Sequence, residues 1–292
     1  MRLLLALDPS EDPTALVDAA ITWSRRLGAT LDVAFADTVP FGLSVADDPV
    51  LYAEFEAQWA RVQQKHADTA SAAFQRVPDA HRGTLHHLGG PPDDALVERS
   101  AGYDALLLAT HGRHGLRRLW EGSVSERVVR HAKCPVVTLQ LDDPSGPGAG
   151  RVMLAVDLEQ DTEPATLESA ATWARALGTR VDIAFVDPFQ NAHILVGPTP
   201  PESWLKHLET RRMEELEALV ARLPDDVRGE LLYRAGNAGA AVSPLTELAE
   251  SRDVALLVVC THGRSGLAHL VLGSVAERVV RSATTPVLVL RR

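Results

Sequence analysis

The sequence predicts an α/β protein of two tandem domains, each a doubly wound parallel sheet of five strands. Three observations predict it. The chain repeats itself: THGRHGLRRLWEGSVSERVVRHAKCPVVTL, Thr110 to Leu139, returns as THGRSGLAHLVLGSVAERVVRSATTPVLVL, Thr261 to Leu290, with about two-thirds of the positions identical. Earlier landmarks return as well, Trp23 as Trp173, Leu27-Gly28 as Leu177-Gly178, Asp32 as Asp182 and Phe35 as Phe185. Within each copy, short apolar runs alternate with amphipathic stretches, which implies right-handed crossovers and a parallel sheet covered on both faces. The length of 292 residues suits two domains. The join, Asp142 to Gly150, reads DDPSGPGAG, a turn-rich linker. The expected domains are residues 1–143 and 151–292.

Copy one opens with the apolar run Leu3 to Leu7, bounded by Asp8-Pro9-Ser10, as befits a strand buried on both faces. Leu16, Ala20, Trp23 and Leu27 fall at helical spacing in a helix from Pro13 to Leu27, and Gly28 stands where a C-cap glycine belongs. Leu31 to Ala36 is the second strand. A variable loop leads to a long helix from about Pro49 to Arg76, then a strand from Thr84 to Leu88. A helix from Pro92 to Ala101 carries its proline in the first turn. Ala105 to Ala109 is a strongly apolar fourth strand. Gly122-Ser123 opens a helix to about Ala132, and Pro135 to Leu141 is the fifth strand. Copy two repeats the pattern with strands at Val152–Val156, Val181–Val186, Glu230–Tyr233, Val254–Val259 and Val287–Leu290. Its helices span Pro164–Leu177, Pro201–Leu223, Ala240–Ser251 and Ser274–Ala283.

Composition excludes several classes. The formal net charge of -10 disfavours nucleic-acid binding, which needs a basic footprint, but leaves a local anion pocket open. No apolar run approaches the roughly 20 residues that span a bilayer, so no membrane partner is expected. The opening Met-Arg-Leu-Leu-Leu-Ala-Leu-Asp reads as a strand rather than a leader, because Asp8 interrupts it and no small-residue cleavage site follows. A cytoplasmic location is expected. Two cysteines, Cys134 and Cys260, make no disulfide framework. Cys134, just before a strand, reads as a small buried hydrophobe.

In doubly wound sheets ligands bind at the carboxyl ends of the strands, at the topological switch point. There copy one reads Ala109-Thr-His-Gly112, nine residues, then Gly122-Ser123 entering a helix; copy two reads Cys260-Thr-His-Gly263, nine residues, then Gly273-Ser274. Glycine admits close backbone approach, and a helix N-terminus offers unpaired N–H groups to an anion. A plain loop with a serine N-cap would explain one such segment; its recurrence at both switch points favours a binding loop. Arg113 and Arg264 can pair with phosphates or stand in solvent. His111 and His262 read as structural hydrogen-bonders. His86 and His87, adjacent on a strand, face opposite sides. No Walker loop and no convincing nucleophile–base or carboxylate pair is visible.

On these residues the sequence resembles the universal stress protein family, whose signature is glycine, two residues, glycine, nine residues, then Gly-Ser or Gly-Thr. The resemblance covers nearly all of both copies. The family's strand-one aspartate corresponds to Asp8 and Asp157. Its closing pattern corresponds to Gly122–Arg130 with Cys134-Pro135-Val136, and to Gly273–Arg281 with Pro286–Val289. The resemblance implies Rossmann-like domains of the adenine nucleotide alpha hydrolase-like type, a stress-response role, and a pocket for ATP or another adenine nucleotide, with or without magnesium. It implies that adenine and ribose lie near Asp8 or Asp157, and phosphates near Gly112, Gly122 and Ser123 or Gly263, Gly273 and Ser274. It also implies antiparallel pairing of the two last strands, a pseudo-dimer within one chain, alone or in a further homodimer.

The departures are informative. The first signature glycine is Ala109 in copy one and Cys260 in copy two, each adding a Cβ beside the expected nucleotide path. Copy one sets Trp120-Glu121 before Gly122, where copy two has Val271-Leu272; copy two sets Glu159 after Asp157. Two other readings therefore stand beside nucleotide binding: slow ATP hydrolysis in the same pocket, and a scaffold with degenerate pockets or a non-nucleotide ligand. A carboxylate beside a phosphate cancels the helix end's partial charge, so copy two is expected to be the better site. Valine at Gly122 or Gly273 is expected to abolish nucleotide binding by its own copy while the fold persists, read by calorimetric titration beside circular dichroism. Undiminished binding in either variant would place the site elsewhere.

Overall fold

The computed structural model describes residues 1–37, 49–110, 124–140, 146–158, 162–187, 202–236, 241–261 and 274–291. Copy one runs β1 (Arg2–Ala6), α1 (Thr14–Arg26), β2 (Thr30–Asp37), α2 (Pro49–Gln75), β3 (Arg82–Gly89), α3 (Pro92–Arg99), β4 (Ala105–Thr110), α4 (Val124–His131) and β5 (Val136–Gln140). Copy two runs β6 (Val152–Ala155), α5 (Pro164–Leu177), β7 (Val181–Asp187), α6 (Glu202–Ala221), β8 (Arg228–Ala235), α7 (Val242–Ser251), β9 (Leu256–Cys260), α8 (Ser274–Ser282) and β10 (Val287–Leu290). The expected alternation is present in both copies. Strands β3 and β8 begin two residues earlier than the apolar runs indicate, because Arg82 and Arg228 pair by backbone with Leu31 and Val181 and carry no hydrophobic signal.

By compactness the chain forms two units, one built from Met1–Ala109 with α4, the other containing Val136–Arg292. In the first the strand order is β3-β2-β1-β4, all parallel. In the second it is β5-β10-β9-β6-β7-β8. There β10, β9, β6, β7 and β8 are parallel, and β5 lies antiparallel to β10, with Val287 opposite Thr138 and Val289 opposite Val136. The expected meeting of the two last strands is thus observed. The Thr138 hydroxyl donates to the Val287 carbonyl at 3.4 Å, and Gln140 Nε2 donates to the Ala283 carbonyl at 2.6 Å.

Apolar side chains on consecutive residues of β1 (Leu3, Leu4, Leu5), β4 (Leu106, Leu107), β6 (Val152, Met153, Leu154) and β9 (Leu256, Leu257, Val258) are all buried, so these strands are covered on both faces. Trp23 of α1 and Trp173 of α5 are the equivalent aromatic anchors of their helices, both buried. α5 ends on Gly178 at φ 67°, whose N–H reaches the Ala174 and Arg175 carbonyls; Gly28 after α1 has φ 56°. Only glycine enters this left-handed region without strain.

The outer pairs β2–β3 and β7–β8 each carry one extra residue on the outer strand: Leu31 and Val33 face Arg82 and Leu85, and Val181 and Ile183 face Arg228 and Leu231. The same device accommodates both bulges. The buried carboxylate of Asp32 accepts the freed Thr84 N–H at 2.9 Å, and that of Asp182 accepts the Glu230 N–H at 2.8 Å. Burial alone would push the Asp32 carboxyl up. Hydrogen bonds from the Tyr103 hydroxyl (2.6 Å), the Thr84 N–H and His86, with the Arg2 charge, hold it below the ordinary value instead. The same burial and the bond to Asp32 push the Tyr103 hydroxyl up to about 12. The carboxylates fit because Gly83 and Gly229 lack a side chain: a Cβ there would overlap Asp32 or Asp182. Alanine at Gly83 or Gly229 is expected to destabilise its unit by about 1–3 kcal/mol, the usual cost of overpacking. Urea unfolding measures it, and an unchanged midpoint would refute the packing argument.

Candidate functional site

In copy one the chain leaves β1 for β2 on one side and returns, after β3, to β4 on the other side of β1. The switch point therefore lies between the carboxyl ends of β1 and β4, and in copy two between those of β6 and β9. Each switch point sets the end of the first strand, which runs on to Asp8 or Asp157, beside the end of the fourth, at Thr110 or Cys260.

Local chemistry shapes each end. The Leu7 N–H still pairs with the Ala34 carbonyl of β2 at 2.8 Å, and the chain then turns at Asp8-Pro9-Ser10. Asp8 is exposed, and its Oδ1 accepts both the Ser10 N–H (2.9 Å) and the Ser10 hydroxyl (2.6 Å). At the end of β4 the Ala109 carbonyl accepts the Ser125 hydroxyl at 3.4 Å, tying the strand to the first turn of α4. Arg127 of α4 in turn reaches Asp93 and Asp94 at the start of α3.

Copy two differs in kind. Asp157 is half-buried rather than exposed. The Cys260 thiol is partly exposed and lies 3.9 Å from the Thr166 hydroxyl in the first turn of α5, where copy one offers Ala109 and Leu16. The neighbouring Thr261 hydroxyl is buried without a hydrogen-bond partner, whereas that of Thr110 donates to the Leu139 carbonyl at 3.3 Å. Cys134 is buried as expected, and loss of solvation pushes its thiol up to about 12. Gly112, Arg113, Gly122, Ser123, Gly263, Arg264 and Gly273 lie outside the described residues, as do His111, His262 and the side chain of Ser274.

Two further clusters stand at the same end of the strands, and sequence reasoning missed both. Asp37 closes β2 and Asp187 closes β7, equivalent residues whose carboxylates are buried. Asp37 is held by His66 Nδ1 of α2 at 2.6 Å and His87 Nε2 of β3 at 3.0 Å. Asp187 receives Arg212 of α6 on both oxygens at 2.7 Å and the Tyr233 hydroxyl of β8 at 2.5 Å. Asp37 and Asp187 do repeat at the spacing of the other landmarks, a signal that was there to be read; their partners differ in type and lie far away in sequence. His86 and His87 do face opposite sides, His86 toward Asp32 and Arg99, His87 toward Asp37.

A polar cleft of about 520 Å³ opens at the other end of the second unit's sheet, lined by Arg151, Asp182, Glu230 and Arg252. Its arginines are already paired with Glu230 at 3.0 and 3.1 Å. Among the described residues no group of three His, Cys, Asp or Glu side chains is placed to hold a metal, and no helix is long and apolar enough to cross a membrane.

The sequence pattern of the universal stress protein family matches the chain twice, over residues 1–140 and 148–291. The chain belongs to the universal stress protein family. It is 28% identical to a universal stress protein of Mycolicibacterium smegmatis over 96% of this chain and 95% of that one. It is 30% identical to a universal stress protein of Mycobacterium tuberculosis (strain CDC 1551 / Oshkosh) over 100% of this chain and 96% of that one. Among solved structures, a universal stress protein from Archaeoglobus fulgidus shares the fold, with a TM-score of 0.63 at 19% identity, over 100% of this chain and 98% of that one. The tandem architecture and the stress-protein family are thereby shown.

The ion pair at Asp187 is a structural element of this strand end. Removing one partner of a buried pair strands the other charge, so Arg212→Met is expected to cost about 3–5 kcal/mol in chemical denaturation. A cost below 1 kcal/mol would show that Asp187 is satisfied by its remaining partners.

Proposed function

We propose that this universal stress protein is a regulatory, nucleotide-binding member of the family, taking ATP or another adenine nucleotide at the switch point of at least one copy. The domains holding the pockets are residues 1–143 and 151–292. The observation that carries the reading is the repeated construction of the switch point. In both copies the chain carries an aspartate just past the first strand, Asp8 or Asp157, and the parallel fourth strand paired beside it ends at Thr110 or Cys260, so the same two carboxyl ends lie side by side. Asp8 suits the role of hydroxyl acceptor: it is exposed, and its turn with Ser10 engages Oδ1. Phosphates would lie on Gly112, Arg113, Gly122 and Ser123, or on Gly263, Arg264, Gly273 and Ser274, where glycine backbone and a helix N-terminus supply N–H donors. The nucleotide would enter with or without magnesium.

The scaffold reading is favoured by one observation, the extra side chain at Ala109 and Cys260 in place of a signature glycine. Ligand linkage separates the two. A nucleotide at a hundred times its Kd stabilises a native protein by about 2.7 kcal/mol. Melting in the presence of ATP, ADP or AMP is therefore expected to rise by several degrees. The thiols provide a second readout. Cys134 is buried with its thiol held protonated, so a thiol reagent is expected to label Cys260 first. Nucleotide bound in copy two is expected to slow that labelling. No melting shift with any of the three nucleotides would favour the scaffold.

A further inference from the structure

The buried carboxylates at the amino end of the second strand are clothed differently in the two copies. In copy one, Asp32 Oδ1 accepts the Thr84 N–H, and Oδ2 accepts the Tyr103 hydroxyl at 2.6 Å and Arg2 at 3.1 Å. The Tyr103 ring is buried and carries two guanidinium groups over it, Arg2 at 4.9 Å and Arg99 at 5.6 Å from its centroid. Hydroxyl, ring, carboxylate and guanidinium form one packed unit.

Copy two keeps the carboxylate and lacks the ring. Ala105 and Leu256 hold the same register beside Leu3 and Val152, so Val254 stands where copy one has Tyr103. The residue before each bends alike, Gly102 at φ 83° and Asp253 at φ 48°. The residue after each, Asp104 or Ala255, donates its N–H to the carbonyl of Arg2 or Arg151 at 2.9 Å. Arg151 thus corresponds to Arg2, and it bonds Asp182 at 3.0 Å. It does so on Oδ1, the oxygen that also accepts the Glu230 N–H, and among the described residues Oδ2 receives no donor. This buried carboxylate therefore forgoes the charge-assisted bond that Tyr103 supplies to Asp32. Where copy one has the ring, copy two has the cleft of about 520 Å³, within the roughly 300–1,000 Å³ of small-molecule sites. Asp182, Arg151 and Val254 line it with Gly150, Glu230 and Arg252. Its charges cancel, since Arg151 pairs with Asp182 and Glu230, and Arg252 with Glu230. Such a lining favours neither a net anion nor a net cation.

We propose that this cleft is a site for a small neutral phenol, whose hydroxyl donates to Asp182 Oδ2 and whose ring lies against Arg151, as Tyr103 does on Asp32 and Arg2. A phenol meets both demands, an O–H donor for the carboxylate and an electron-rich face for the guanidinium. An aliphatic alcohol supplies the donor without the face, and an aromatic hydrocarbon the face without the donor. The cleft lies at the opposite end of the sheet from the switch point, so the site does not rest on the nucleotide reading.

The probe is 4-methylphenol, the tyrosine side chain as a free molecule, titrated into the isotope-labelled full chain and followed through its amide resonances. Saturable shifts are expected at Arg151, Glu230 and Val254. Toluene, which lacks only the hydroxyl, is expected to bind about tenfold more weakly, the scale of a hydrogen bond to a charged group. Val254→Tyr, which restores the residue of copy one, is expected to abolish the shifts caused by 4-methylphenol. The converse variant, Tyr103→Val, is expected to open a second site with new shifts at Arg2 and Thr84, and it decides the question if Val254→Tyr fails to fold. Absence of saturable shifts in the native protein, equal affinity for toluene, or undiminished binding by a folded Val254→Tyr overturns the proposal.

Discussion

The structure depends on strands that are buried on both faces. A parallel strand such as β1 or β6 satisfies its backbone through its neighbours in the sheet, so its side chains can be apolar throughout, provided helices cover both sides. That requirement forces a helix between successive strands and right-handed crossovers. It also makes the chain reverse direction across the sheet once per copy, beside β1 and β6. The crevice at the strand ends is thus a consequence of how the core is covered, and Asp8 and Asp157 inherit their places from it.

Buried carboxylates mark the two ends of the second strand in each copy. At the amino end, Asp32 and Asp182 close a bulge, and the matching glycines, Gly83 and Gly229, keep the two copies alike. At the carboxyl end, Asp37 and Asp187 bridge a helix and an outer strand, and there the partners have diverged to His66 and His87 in one copy, Arg212 and Tyr233 in the other. A backbone amide must be satisfied wherever a bulge frees it, which preserves the first arrangement. A carboxylate facing side chains can be satisfied in several ways, which leaves room for the second to differ.

Much of this was legible in the residues. The Leu3–Leu5, Leu106–Leu107 and Val152–Leu154 runs announced central strands, and Gly28 and Gly178 marked helix ends that the backbone angles bear out. Strands β3 and β8 were shorter in the reading than in the fold, since an outer strand draws on backbone pairing that polar residues such as Arg82 supply equally well. Asp32 was noticed as a repeated landmark, yet its partner Tyr103 is 71 residues away, and no local pattern joins them.

By itself the sequence determined the duplication, the alternation of strand and helix, and hence the strand ends at which a ligand would be sought, because periodicity and repetition are local properties of the chain. Only the tertiary structure decided that Cys260 lies against Thr166, and that Asp37 is clasped by two imidazoles where Asp187 is clasped by a guanidinium. Those facts join residues dozens of positions apart, and their energies come from burial and partner geometry, which exist only once the helices have closed over the sheet.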